Sequence, residues 1–261
     1  MRWPTRYTGE NPARRRNEPS RSLSASYLIP ILWMMMIAYL PVSYASSPLM
    51  SQDKCETRLL AAIQNRDFNA AMKIISSGAN PDEADCNGTT PLIESLAGRQ
   101  FDVTQALILA GANPNLKSRA GSPPLGVAAW YCEQNAVVLL LAKGSDVNAV
   151  DSDGYSALMH SAQNCDDAAV PALLLRSGAN IQLQSKSGDT ALTVASFYGN
   201  ENVVHMLVAH GADLAVKTTD GSTALSIAHD RDVGRRSSHD RIYQFLLEIG
   251  QLDIVRPKSA K

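Results

Sequence analysis

The residues best equipped for chemistry are four cysteines, Cys55, Cys86, Cys132 and Cys165. The first two stand 31 residues apart and the last two 33 apart. An even set of thiols can pair, stay free or hold a metal, and four of them allow three pairings. Metal is the weakest reading, because no CxxC spacing occurs and His160 is the only histidine near a cysteine in sequence. The other histidines are His205, His210, His229 and His239. They form no HExxH pattern, and the chain has no GxSxG, P-loop or dinucleotide glycine fingerprint. Function must be argued from a site, and no catalytic constellation is visible, so neither an enzyme nor a cofactor is expected.

The elements that must position these side chains are repetitive. Residues 188–212 show the unit in its most regular form. Gly188 suits a turn at positive φ and Thr190 can cap the helix behind it. Leu192, Val194 and Ala195, then Val203, Val204 and Leu207, make two short apolar faces at helical spacing. Gly199 divides the faces and Gly211 closes the second. Such a unit is too small to bury its own apolar face and predicts copies on both sides. The opening glycine recurs as Gly88, Gly121, Gly154, Gly188 and Gly221, at spacings of 33, 33, 34 and 33. The closing glycine recurs as Gly78, Gly111, Gly144, Gly178, Gly211 and Gly250, at 33, 33, 34, 33 and 39. One period shared by two interleaved series marks a solenoid.

The chain here resembles the ankyrin-repeat family. Thr90-Pro91-Leu92, Pro123-Pro124-Leu125, Ser156-Ala157-Leu158, Thr190-Ala191-Leu192 and Thr223-Ala224-Leu225 match part of its T-P-L-H-x-A-A-x-x-G stretch. Gly78-Ala79-Asn80, Gly111-Ala112-Asn113, Gly178-Ala179-Asn180 and Gly211-Ala212-Asp213 match its second half. The resemblance implies an all-α solenoid of stacked helix–turn–helix units joined by β-turn or hairpin loops. Six repeats are expected over 55–250, at 55–84, 85–117, 118–150, 151–184, 185–217 and 218–250.

Within that frame the cysteines fall in related places. Cys55 occupies the first repeat's opening-glycine slot, and Cys86 lies in the turn before the next repeat's first helix. Cys132 and Cys165 both replace the glycine between the two helices, the fourth repeat carrying one extra residue beside Cys165. Each pair sits on neighbouring loops, which selects Cys55–Cys86 and Cys132–Cys165 as disulfides, ahead of free thiols. Distance is the obstacle: stacked helices lie about 8–10 Å apart, whereas a disulfide needs Cα atoms within about 7 Å. Pro171 is expected in the first turn of a second helix, where it is tolerated. In the last repeat, the polar run 230–240 reads as a long loop, and 251–261 as a tail.

The first 45 residues are of another kind. Six arginines face two glutamates, a charge of +4. The 14-residue apolar run Tyr27–Leu40 follows, then Pro41 and the small-residue site Ser43-Tyr44-Ala45. This is the layout of a secretory signal peptide, and the run is short of the roughly 20 residues that span a bilayer. Cleavage after Ala45 is expected, with an uncleaved anchor as the alternative; residues 46–54 form a linker. The chain's net charge of −1 leaves −5 on the remainder, with no basic stripe to bind nucleic acid. A monomer, periplasmic or secreted and free of the membrane once processed, is expected.

In the resembled family, partners meet the turn tips and the exposed side of the first helices, the concave face. Those positions include Arg119, Asp153, Tyr155, Lys186 and Asp189 at the tips, and Trp130-Tyr131 and Phe197-Tyr198 at helix ends. Large rings rimmed by polar groups are the material of binding hot spots. The resulting expectation is a non-catalytic scaffold holding a partner protein as adaptor or inhibitor. A stress-protective accessory to a periplasmic redox enzyme is the alternative. A third alternative, an uncharacterised hydrolase, has no motif behind it.

Overall fold

A computed structural model describes residues 57–165, 167–230 and 238–255, with side chains as far as Gly250. The expected signal segment, the linker 46–54 and Cys55 lie outside the described residues. Among those described, twelve helices run in six pairs: α1 (Arg58–Gln64) with α2 (Phe68–Ser76), α3 (Pro91–Ala97) with α4 (Phe101–Leu109), and α5 (Pro124–Trp130) with α6 (Gln134–Ala142). Then come α7 (Ala157–Asn164) with α8 (Ala169–Arg176), α9 (Ala191–Tyr198) with α10 (Glu201–Ala209), and α11 (Ala224–Asp230) with α12 (Ser238–Val255). Each first helix packs on the first helices before and after it, and second helices stack behind them from α2 to α8 and from α10 to α12.

Local chemistry sets where the first helices begin. Thr57, Thr90, Ser156 and Thr190 each accept, on the side-chain oxygen, the amide three residues on, at 3.2–3.3 Å. Thr190 and Thr193 complete the exchange in both directions. Pro123 breaks the series and caps nothing with its side chain, although Pro124 starts α5 with a suitable φ. The apolar pattern then divides the helices by depth. In α7, Ala157 through Gln163 are all buried, as are Ala191 through Ser196 in α9. The second helices bury one stripe each, such as Val203, Val204 and Leu207 in α10. Pro171 occupies the first turn of α8, as its spacing predicts.

The opening and closing glycines both adopt positive φ, but for different reasons. A Cβ on Gly188 would stand 3.0 Å from the Thr218 Cα and the Thr219 amide nitrogen of the next repeat, whereas one on Gly211 would meet nothing within 4 Å. The opening turn therefore needs glycine for backbone conformation and for close approach; the closing turn needs it for conformation alone. Gly250 does neither. It lies inside α12, which runs through it to Val255, and so corrects the sixth member of the closing series. Ser238, His239 and Asp240 also belong to α12, so the proposed loop is shorter at that end; its residues 231–237 lie outside the described residues.

A second correction concerns the turn inside each pair. In the first five pairs the described residues of that turn include one left-handed residue: Arg66, Arg99, Cys132, Ala168 and Gly199, at φ of 55°, 56°, 55°, 55° and 77°. Cys132 thus fills the slot of Gly199, as expected. Cys165 does not; it is extended, at φ −97° and ψ 110°. In the fourth repeat, which carries one extra residue, the left-handed residue described is Ala168.

Between helix pairs runs a polar ladder the sequence did not announce. The Asn113 amide donates to the Asp82 carboxylate (2.9 Å), that of Asp146 to Asn115 (2.8 Å), that of Asn180 to Asn148 (2.7 Å) and that of Asp213 to Gln182 (3.3 Å). In return the amide groups of Asn115, Asn148 and Gln182 donate to the carbonyls of Gly144, Gly178 and Gly211. Asp82 holds the same rung but has no N–H to give to Gly111.

Two predictions follow from these contacts. Asp82→Asn supplies the missing donor and should raise the denaturation midpoint, by about 0.5–1 kcal/mol of stability; a fall in chemical unfolding midpoint contradicts this. Gly211→Ala should cost about 1–2 kcal/mol for its left-handed conformation. Gly188→Ala should cost more, with a further penalty of about 1–3 kcal/mol for crowding the next turn; equal midpoints would remove the close-approach argument.

Candidate functional site

The side chains singled out by type lie along the rim where first helices end and second helices begin. Each junction between repeats is tied there by a different bond. At the first, Gln100, the N-cap of α4, donates its amide to the Ile63 carbonyl at 2.8 Å. At the second, the Arg99 guanidinium pairs with Glu133. At the fourth, Asn200, the N-cap of α10, donates to the carbonyls of Ala162 (2.8 Å) and Gln163 (3.0 Å). At the fifth, His239 donates to the Phe197 carbonyl (3.1 Å) and Arg241 to Glu201 (2.6 Å).

The third junction is covalent. Cys132 and Cys165 form a disulfide with Cα atoms 5.6 Å apart, inside the limit that stacked helix bodies would exceed. Turns achieve the approach because their backbones lie nearer than helix axes. The N-cap of α8 here is Ala168, whose methyl group can donate to nothing. Cys86 is disulfide-bonded as well, and its expected partner Cys55 lies outside the described residues.

Beside this staple sits a cluster of rings and carboxylates. The Trp130 ring meets His160 edge-on, centroids 5.6 Å apart, and the Tyr155 ring lies 5.7 Å from His160 on its own account. His160 Nε2 donates to the Asp151 carboxylate at 3.0 Å, which leaves Nδ1 buried without a hydrogen-bond partner. Burial opposes ionisation of Asp151, but the His160 hydrogen bond and charge and the amides of Tyr155 and Asp153 outweigh it and hold its pKa below the ordinary aspartate value. Tyr155 donates its hydroxyl across the next junction to Asp189 at 3.0 Å, and Ser185 donates to the same oxygen at 3.2 Å. For Asp189, burial wins over these bonds, and the charge of Asp220 adds to it, so its pKa is raised. Burial and then the Asp85 charge likewise raise Glu94, and burial and then Glu94 raise Tyr131, which stays a neutral phenol.

The expected contact residues divide into three groups. Arg119, Asp153 and Lys186 are exposed on the turn tips, as the repeat frame predicts. Trp130, Tyr131, Tyr155, Phe197 and Tyr198 are half-buried on the first-helix side. They do not form one sheet of rings. Trp130 and Tyr155 group around His160, whereas Phe197 packs on Tyr198 (5.0 Å), whose hydroxyl accepts from Gln163 at 2.7 Å. Asp189 belongs to neither group: at 3% exposure it is an internal acceptor, drawn in by Tyr155 and Ser185, and offers no surface to a partner. Gln163 holds the helix-end slot that the repeat frame gives it, and His160, expected to be packed or hydrogen-bonded, is the member not counted among the contact residues.

Among the described residues no group of His, Cys, Asp and Glu has the geometry to hold a metal ion. None of their helices is long and apolar enough to cross a membrane.

Paired short helices, left-handed turns and a period of 33–34 define a helical repeat solenoid. The chain belongs to the ankyrin-repeat family, whose three-copy model, described as ankyrin repeats, matches it in overlapping windows at residues 59–151, 98–183, 125–218 and 158–256. Repeats of this family serve protein–protein interaction. No curated protein matches the chain.

The two buried carboxylates should respond to pH in opposite senses. Asp151, lowered on folding, contributes stability that is present above its unfolded pKa and lost as pH falls through its lower folded value. Asp189, raised on folding, costs stability once ionised, a cost that disappears as pH falls through its folded value. Asp151→Asn should therefore lose about 1–2 kcal/mol near neutrality, the deficit shrinking in acid. Asp189→Asn should compare best with the parent near neutrality and worst in acid. Parallel pH profiles of urea midpoints for the two variants would contradict the assignment.

Proposed function

We propose that this chain is a non-catalytic scaffold that binds a partner protein through its concave face, as adaptor or inhibitor, after export to the periplasm or beyond the cell. The observation that carries the reading is the placement of Tyr131, Trp130, Phe197 and Tyr198, half-buried at first-helix ends, with Arg119, Asp153 and Lys186 exposed on the turn tips. Rings already held by their neighbours lose little conformational freedom on binding, and charged tips around them supply orientation. Export is supported by the basic and apolar layout of residues 1–45 and by the Cys132–Cys165 disulfide, since such bonds persist in oxidising compartments.

The test is capture of a partner by crosslinking in the periplasmic fraction, followed by affinity measurement on variants. Tyr131→Ala and Phe197→Ala should each weaken binding by about 10- to 100-fold. Val138→Ala, at an exposed site on the second-helix side, should not. Trp130→Ala should lower the thermal midpoint as well, because its ring packs on His160. Equal affinity for all four variants would overturn the reading.

A further inference from the structure

The rim bonds differ in how they can be broken. Amide clamps and ion pairs re-form as fast as they open, whereas the third junction depends on one bond that a thiol can cut. Two features leave the disulfide as that junction's tie on the rim, while Asn148 bonds the Asn180 amide and Gly178 carbonyl on the loop edge and Trp130 packs on His160. Ala168 stands at the N-cap where Gln100 and Asn200 supply amide donors to the preceding repeat. The carbonyl such a donor would reach is Ala129, the counterpart of Ile63 and Ala162, and what lies beside it instead is the Cys165 sulfur, at 3.5 Å.

The staple also has functional neighbours on both sides. Trp130 and Tyr131 immediately precede Cys132, and Gln163, which hydrogen-bonds Tyr198, lies two residues before Cys165. Opening the bond removes the covalent tie between the end of α5, where Trp130 and Tyr131 lie, and the end of α7, leaving Trp130 held there by packing on His160.

We infer that the Cys132–Cys165 disulfide is a redox-sensitive lock on the aromatic side of the first helices: reduction by a dithiol releases Cys165 from Cys132 and loosens Trp130 and Tyr131 relative to Gln163 and Tyr198. The chemistry is directional. Cys165 is 1% exposed and Cys132 half-buried, so a reductant thiolate reaches the Cys132 sulfur. The S–S bond breaks, a mixed disulfide forms on Cys132, and Cys165 leaves as a thiolate that takes a proton from water. The reductant's second thiol then displaces Cys132, closing the reductant's own disulfide; the protein gains two electrons and two protons, and the dithiol loses them. A monothiol forms only a transient mixed disulfide, because the Cys165 thiol beside it attacks Cys132, re-forms the bond and expels the monothiol.

The lock stands on the structure alone; its consequence for binding rests on the proposed concave-face reading. The test uses the full oxidised chain and hydrogen exchange read by mass spectrometry, before and after dithiothreitol. A parallel Cys132→Ser, Cys165→Ser double variant leaves the Cys86 bond in place. Both should accelerate exchange over residues 124–132 and 157–176 by about tenfold or more, with residues 191–209 little changed. Unchanged exchange in those segments, or an equal rise throughout, overturns the lock. Peptide mapping after a monothiol pulse should find the adduct on Cys132; an adduct on Cys165 overturns the direction of attack. If exchange behaves as expected but affinity for a captured partner is unaltered by reduction, the lock stands and the binding face is wrong.

Discussion

The structure depends on a burial problem that no single repeat can solve. In α7 and α9 nearly every side chain from the cap onward is buried, so these helices need apolar partners before and behind them at once. A seven- or eight-residue helix in water would not persist alone, since nucleation is costly and propagation over so few residues returns little. Stacking supplies both the hydrophobic stabilisation and the reason for the helix. A repeat's stability therefore belongs partly to its neighbours, as nearest-neighbour coupling in a one-dimensional array requires.

Apolar stacking fixes that the repeats adhere but leaves their relative slide and rotation loosely specified. Directional bonds remove that freedom at two edges. On the loop edge, the ladder from Asp82 to Asp213 makes each closing turn accept from the next, and all but the first also donate to it. On the rim, an amide clamp, an ion pair, a disulfide, a second amide clamp and a histidine–carbonyl bond tie successive junctions. Most of these bonds are exposed and individually modest, about 0.5–1.5 kcal/mol each. Their effect lies in register, and register holds Trp130 against His160 and Tyr198 against Gln163 across repeat boundaries.

Much of this was legible in the sequence because the turns demand it. Gly88 to Gly221 and Gly78 to Gly211 all mark positive φ, and Gly88 to Gly188 mark close approach as well, so their period exposes the architecture directly. The Cys132–Cys165 pairing followed from shared position in the frame. What stayed hidden was decided by neighbours about 30 residues away. Asp189 looks like any turn-tip aspartate until the Tyr155 hydroxyl, 34 residues earlier, reaches it. Asn115 and Asn148 look like ordinary loop polarity, although their side chains bind the following repeat. The extra residue near Cys165 could be absorbed at several points, and only the backbone shows that Ala168 takes the left-handed conformation. Gly250 has the composition of a helix end, but no opening glycine follows it, and α12 passes through.

The central claim is that this register builds a binding face on the first-helix side. Photocrosslinking from single sites tests it most directly, with benzoylphenylalanine placed in turn at Tyr131, Tyr198, Gln105 and Val138 of the full chain. Crosslinks to one and the same protein from positions 131 and 198, and none from the second-helix positions 105 and 138, are the predicted result. Adducts from 105 or 138 with none from 131 and 198 would contradict it.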